Sequence, residues 1–293
     1  EYVASLGSLP PSLAALAQGA LLPGDAVQGA LMAPAEYFSR KVLMWEYVPE
    51  RALIFLPDAA LYLIAEGPDQ PAKAMRIDAS ALLTVRSSLL LLYGLLEFKA
   101  DCGPGVQEAR LEYNTVVWGR LYQAFARLVD SACCAPRFPL TDAAARAANE
   151  PLLATLPFKF ANGLRYYALA PGEAALAATF QPAIWRKGPF LLRRQVTPNT
   201  LLALTDRKVV LIEENRSQLW SNPAASKQSE YGWIFTYIPL DRVVDISVAS
   251  NGGLRDVTIG LEWGAVSDTR VLTLEPAVAE QWLRAWEAGG KQL

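Results

Sequence analysis

The chain has 293 residues, 52% of them hydrophobic and 19% charged, with 20 Pro and 19 Gly. That composition excludes disorder, collagen and a coiled-coil rod, and the length predicts two domains rather than one. Net charge is −2 and histidine is absent, so the footprint of a general nucleic-acid binder is missing, as are Ser-His and Cys-His nucleophile systems and the HExxH metal helix.

In chain order, the first element is PPSLAALAQGA, Pro10 to Ala20, which reads as a Pro-started helix. It follows no basic run and does not read as a secretory signal. The runs ALIFLPD, ALYLIAE, ALLTV and ARLEY, between Ala52 and Tyr113, set aliphatic residues between turn residues and predict strands. LLLLYGLL, Leu89 to Leu96, is far short of the roughly 18 to 20 apolar residues that span a bilayer. Bounded by Arg86 and Glu97, it reads as a buried strand pair or one long strand. Val117, Leu121, Phe125 and Val129 then recur every four residues, one face of a helix.

From Cys133 to Gly163, Pro-bounded stretches flank TDAAARAANE, a short helix that Thr141 or Asp142 can cap. Beyond it, LLALTD, KVVLIEE and RVLTLE predict further strands. Val257, Ile259, Leu261 and Trp263 alternate with Thr258, Gly260 and Glu262 at the period of a half-buried strand. Asn215 to Gly232, rich in Ser and Asn, predicts a long loop or an extended hairpin. Asn251-Gly252 marks a hairpin turn. Last, Val278, Trp282, Leu283 and Trp286 form a helical stripe behind Pro276, and core packing is its simplest use.

The chain contains a hidden repeat. Displaced by 148 positions, the segment from Leu22 aligns with that from Ala170 without a gap, and about 14 of roughly 45 positions are identical. The identities include Pro23/Pro171, Gly24/Gly172, Asp58/Asp206 and Glu66/Glu214, while Asp25 lies on Glu173. After the insertion MRIDASALLTV lies on IPLDRVVDISV, and both copies end in the helix described above. The expected organisation is a first domain over residues 20–132, a helical connector over 133–163 and a second domain over 164–293. Each domain is expected to be mainly β, a small barrel or orthogonal sandwich closed by a C-terminal helix.

LLALTDRKVVLIEE followed by YIPLDRVVDISV, a strand pair and a Trp-bearing helix resembles bacterial pleckstrin-homology-like and GRAM-type domains. The matching positions are Thr205, Asp206, Arg207, Lys208, Pro239, Leu240 and Val243. The resemblance covers about Ala170 to Trp286. The first copy departs from it, with Pro57 for the Thr and Ala59-Ala60 for the Arg-Lys pair. The resemblance implies a tandem of two pleckstrin-homology-like domains, a fold used for lipid binding, peptide binding and scaffolding.

Candidate sites are few. In IWRKGPFLLRRQ, Arg186 and Lys187 precede a Gly-Pro turn and Arg193 and Arg194 follow it, with Trp185 and Phe190 placed to wedge into a headgroup layer. Residues 1–150 carry 12 basic and 16 acidic groups, and 151–293 carry 15 and 13, so the two parts differ in sign, −4 against +2. Asp206 suits a hairpin turn. Asp241 and Asp245, four apart on a predicted strand, stand about 13 Å from each other, too far to share a proton. Cys102, Cys133 and Cys134 form no metal tetrad and read as reduced thiols in a cytoplasmic protein.

No catalytic, cofactor or metal site is expected. The leading expectation is a non-enzymatic binding or scaffold protein whose partner is a protein segment or another copy of itself. The alternative is a membrane-peripheral module that takes anionic headgroups through Arg186, Lys187, Arg193, Arg194, Trp185 and Phe190.

Overall fold

A computed structural model describes residues 2–3, 5–33, 36–41, 44–48, 51–56, 60–65, 73–90, 93–101, 106–136, 138–187, 193–214 and 232–289. The chain forms two units, Glu1–Leu82 with Leu92–Ala132, and Leu83–Leu91 with Cys133–Leu293.

In the N-terminal unit, α1 (Pro11–Ala20) precedes a five-stranded antiparallel sheet of order β1-β2-β5-β6-β7. Its strands are β1 (Tyr2–Val3), β2 (Gly29–Ala33), β5 (Arg51–Phe55), β6 (Ala60–Ala65) and β7 (Lys73–Asp78). A separate hairpin, β3 (Glu36–Lys41) with β4 (Met44–Val48), rises between β2 and β5. One face of the sheet packs on α1: Leu13 and Ala17 meet Ala30, Ala52, Ile54, Tyr62 and Ile64. The alternation Ala52, Ile54 and Tyr62, Ile64 puts these residues on one face because strand side chains repeat every second residue. Across a 3-10 turn (Ala79–Ala81) the chain enters β8 (Leu82–Leu90), then β9 (Tyr93–Asp101) and β10 (Val106–Asn114), the last two paired with Leu96 opposite Leu111. Asn114 accepts the Val116 N–H at 3.0 Å and starts the turn into α2 (Trp118–Ala132). The expected apolar face is there: Leu121, Phe125 and Val129 are buried, while Val117 falls in the entry turn and is half-buried.

The C-terminal unit opens with helices α3 (Asp142–Leu153) and α4 (Phe158–Gly163), the latter running into a single π turn, Leu164–Ala168. Thr141, one of the two caps expected, accepts the Ala144 N–H at 3.3 Å. The strands that follow are β11 (Ala175–Gln181), β12 (Ile184–Lys187), β13 (Arg193–Thr197), β14 (Thr200–Thr205), β15 (Lys208–Glu214), β16 (Trp233–Pro239), β17 (Val243–Asn251), β18 (Leu254–Trp263) and β19 (Val266–Leu274), and α5 (Pro276–Gly289) ends the described chain. β11, β14, β15 and β16 lie side by side, β12 and β13 form their own hairpin, and β17-β18-β19 make a three-stranded sheet. β14 is buried along its whole length and β15 nearly so, which is why LLALT and KVVLI are continuous apolar runs rather than alternating ones.

The two faces of β14–β15 have different covers. On one face Leu202, Leu204, Val209 and Leu211 join Val257, Ile259, Leu261 and Leu272, with Trp282 and Trp286 of α5 among them. The Trp stripe is therefore core, as its helical spacing implied. On the β16 side, Phe160 of α4 meets Phe180 and Trp233 at ring-centroid distances of 4.8 and 5.6 Å, and the Tyr237 hydroxyl donates to the Tyr167 carbonyl at 2.8 Å.

The element order repeats: helix, Pro-Gly turn, strand, hairpin, three strands, 3-10 turn, three strands, helix. The repeat thus reaches further back than residues 20 and 164, to a helix in front of each Pro-Gly turn. The architecture is mainly β, with several sheets and a C-terminal helix. Among the described residues no sheet closes into a barrel. One strand departs from the expectation that each copy builds its own framework: β8, from the first copy, pairs antiparallel with β16 in the C-terminal unit, with Val85 opposite Tyr237 and Leu89 opposite Trp233. LLLLYGLL accordingly supplies the end of one strand and the start of another.

Candidate functional site

The basic hairpin is a strand pair, as expected. Its register sets Trp185 opposite Gln195, Arg186 opposite Arg194 and Lys187 opposite Arg193. Trp185 is 44% exposed. Arg186 is exposed too, and its guanidinium donates to the carbonyls of Asn251 and Gly252, at 3.2 and 3.3 Å, in the β17–β18 turn. Phe190 and the Gly-Pro turn lie outside the described residues, as do Cys102 and positions 215–231 of the long insertion.

A second polar assembly, not anticipated as such, lies at the start of β15. Lys208 is buried against Glu173, and the two form a salt bridge almost out of reach of solvent. Glu173 Oε2 also accepts the Ala170 N–H at 2.7 Å. This closes the Ala170–Glu173 turn, in which Gly172 has a φ of 75° that an L side chain rarely adopts. Asn149 of α3 ties the same loop from the other side, donating to the Glu173 carbonyl at 3.0 Å and accepting the Ala175 N–H at 2.8 Å.

Asp206 does not fold its own turn. That work falls to the Thr205 hydroxyl, which accepts the N–H groups of Arg207 and Lys208 at 3.1 and 2.9 Å. Asp206 instead accepts the N–H groups of Ala174 and Phe138, at 3.2 and 3.5 Å, and so pins two loops to the β14–β15 turn. Burial pushes its carboxyl above the ordinary value, and the two N–H groups pull it part of the way back. Arg207 Nε donates to the Cys134 carbonyl at 2.9 Å. Nearby, the Cys133 thiol is pushed up to about 12, chiefly by burial, which makes it an inert apolar group.

Beside this assembly is a cavity of about 390 Å³ lined by Arg146, Asn149, Glu150, Arg165, Tyr166 and Glu173 among others. Arg165 reaches both carboxylate oxygens of Glu150, at 2.8 and 2.7 Å. Glu173 Oε1 is buried without a hydrogen-bond partner among the described residues. Arg146 and the Arg165–Glu150 pair give the cavity a charged lining. The sequence hid this constellation because Arg165 and Glu150 sit on different helical segments, joined by a break at Ala154 to Pro157.

The carboxylates of this region have separate partners and settings. Asp241 is in a 3-10 turn, Leu240–Arg242, not on the strand, and binds Arg242, whose guanidinium lies over the Trp263 ring. Asp245 follows a bulge in β17. Glu213 pairs with Arg270, and Glu214 with Lys159. Among the described residues no three Cys, Asp or Glu side chains converge as a metal site, and no helix is long and apolar enough to cross a membrane.

Neither family models nor curated proteins match the chain.

Proposed function

We propose that this is a non-enzymatic binding or scaffold protein built from two pleckstrin-homology-like domains that act in protein–protein interaction. The observation that carries this reading is the order of elements in the C-terminal unit: four neighbouring strands, then a three-stranded sheet, then a helix whose Trp282 and Trp286 sit in a core shared by both sheets. The sequence of strands and closing helix recurs in the first copy, although there β8 lies against β16 instead of starting a separate three-stranded sheet. Scaffolds of this kind present strand edges and helix grooves to extended protein segments.

The test is photocrosslinking from the exposed positions Val244, Tyr166 and Trp185 of the full chain in cell extract. Adducts with a defined protein from one of these faces, and not from the others, support the reading. No protein adduct from any face overturns it.

A second reading is favoured by the hairpin register. The backbone register sets Arg186 opposite Arg194 and Lys187 opposite Arg193 on a strand pair that also carries exposed Trp185, a concentration of positive charge that suits an anionic headgroup. Cosedimentation with phosphatidylserine vesicles that weakens as salt rises, and disappears when all four cations become Ala, supports it. Binding that survives those changes overturns the site.

A further inference from the structure

Most of the charges that line the cavity beside α3 are already matched. The cavity lies wholly in the C-terminal unit, walled by α3, by the π turn and by the Ala170–Glu173 turn. Glu173 is neutralised by Lys208, and Glu150 by Arg165. That leaves Asp142 and Arg146, which are opposite in sign, and neither has an ion-pair partner among the described residues.

Asp142 and Arg146 are four residues apart on α3, which sets them on one face about 6 Å apart along the axis. An acidic residue one turn ahead of a basic one ordinarily pairs with it on a helix. Here both line the cavity without joining each other. The Pro-Gly turn passes over Asp142 with its least bulky residue, since a Cβ at Gly172 would lie 3.9 Å from Asp142 Oδ1.

The opposite wall is irregular. The Leu169 N–H donates to the Leu164 carbonyl at 3.0 Å, the bond of a π turn, a geometry that recurs where helices carry functional sites. This turn brings Arg165 and Tyr166 to the cavity, and Glu150 holds the Arg165 guanidinium at its wall. Beyond the charges the lining is apolar, with Leu153, Leu169 and Pro171.

We propose that this cavity binds a small zwitterion of the α-amino-acid class with an aliphatic side chain. The ammonium group meets Asp142, the carboxylate meets Arg146, and the side chain lies against Leu153, Leu169 and Pro171. A ligand with both charges satisfies both residues, whereas an anion or a cation alone satisfies one and is repelled by the other. The volume of about 390 Å³ is in the range of small-molecule sites. Such a site goes beyond the protein-binding reading above and does not depend on it.

Saturation-transfer difference NMR of the full chain with L-leucine, titrated to give a Kd, tests this. L-Leucine is expected to bind saturably. Isocaproate, which lacks the ammonium group, and isopentylamine, which lacks the carboxylate, are each expected to bind about tenfold more weakly or worse. Asp142→Asn and Arg146→Gln are expected to weaken leucine binding to the same degree. Both residues are exposed and Thr141 keeps the α3 cap, so circular dichroism and the melting transition are expected to stay unchanged. Absence of saturable leucine binding overturns the proposal, as does binding that survives either substitution, or equal affinity for leucine and either analogue. The analogue comparison uses the wild type and decides the matter even where a variant unfolds. Leucine binding by a chain that crosslinks to no protein upholds this site and overturns the scaffold reading, and crosslinks without leucine binding do the reverse.

Discussion

Asp25 and Glu173 hold the same place in two copies of one turn. Each carboxylate accepts the N–H of the residue three before it, Leu22 at 2.8 Å and Ala170 at 2.7 Å, and each binds a buried or half-buried cation. The cations differ in origin. Arg76 reaches Asp25 from β7 at 2.9 Å, with the Tyr62 hydroxyl beside it, while Lys208 reaches Glu173 from the first residue of β15. The turn needs a carboxylate and a glycine, Gly24 (φ 97°) or Gly172 (φ 75°), and any strand passing nearby can supply the charge.

Removing one partner of the Lys208–Glu173 pair leaves the other charged and buried. Glu173→Gln is expected to lower stability by about 3–5 kcal/mol, read from urea denaturation. Glu173→Leu combined with Lys208→Met is expected to recover most of that loss, since an apolar pair needs no charge compensation. A single-variant loss below ~1 kcal/mol would show the pair to be as weak as a surface contact.

Acid should act on the two turns with opposite signs. Burial alone would raise the Asp25 carboxyl, but the Leu22 N–H, the Tyr62 hydroxyl and Arg76 together hold it below its ordinary value. Its contribution is therefore present above the ordinary carboxylate range and is lost as pH falls through the lowered folded value. The stability gap between wild type and Asp25→Asn is expected to close on acidification. Asp206 is raised instead, so its contribution is present in acid and fades as pH climbs through the folded value. Urea midpoints measured across the acid range for the wild type, Asp25→Asn and Asp206→Asn would reveal both trends, and parallel curves would refute them.

Cys133, with its thiol pushed up to about 12, should resist iodoacetamide at neutral pH and react only once the chain unfolds. Peptide mapping with and without denaturant checks this. Modification of native Cys133 at the rate of a free thiol would mean that the loop before Cys134 opens readily.

Trp282 is fully buried between the two sheets of the C-terminal unit. Trp282→Ala is expected to cost about 3–5 kcal/mol, and Trp282→Phe less, because the phenyl ring fills part of the space. Equal losses from the two substitutions would show that ring volume is not what matters there.

Much of this molecule could be read before any fold was drawn. The repeat, the strands around Val257 to Trp263, the apolar faces of α2 and α5, and the Asn-Gly-Gly hairpin all follow from local rules. Side-chain periodicity reports which face of an element is buried, and turn chemistry reports where the chain reverses. Neither rule says what covers that face or which strand lies beside an edge. The pairing of β8 with β16, the exposure of β17, the 3-10 turn at Asp241 and the meeting of Arg165 with Glu150 were decided in three dimensions. Strand neighbours are joined by main-chain hydrogen bonds that carry little side-chain signature, and ion pairs across helix breaks depend on distances that spacing along the chain does not encode.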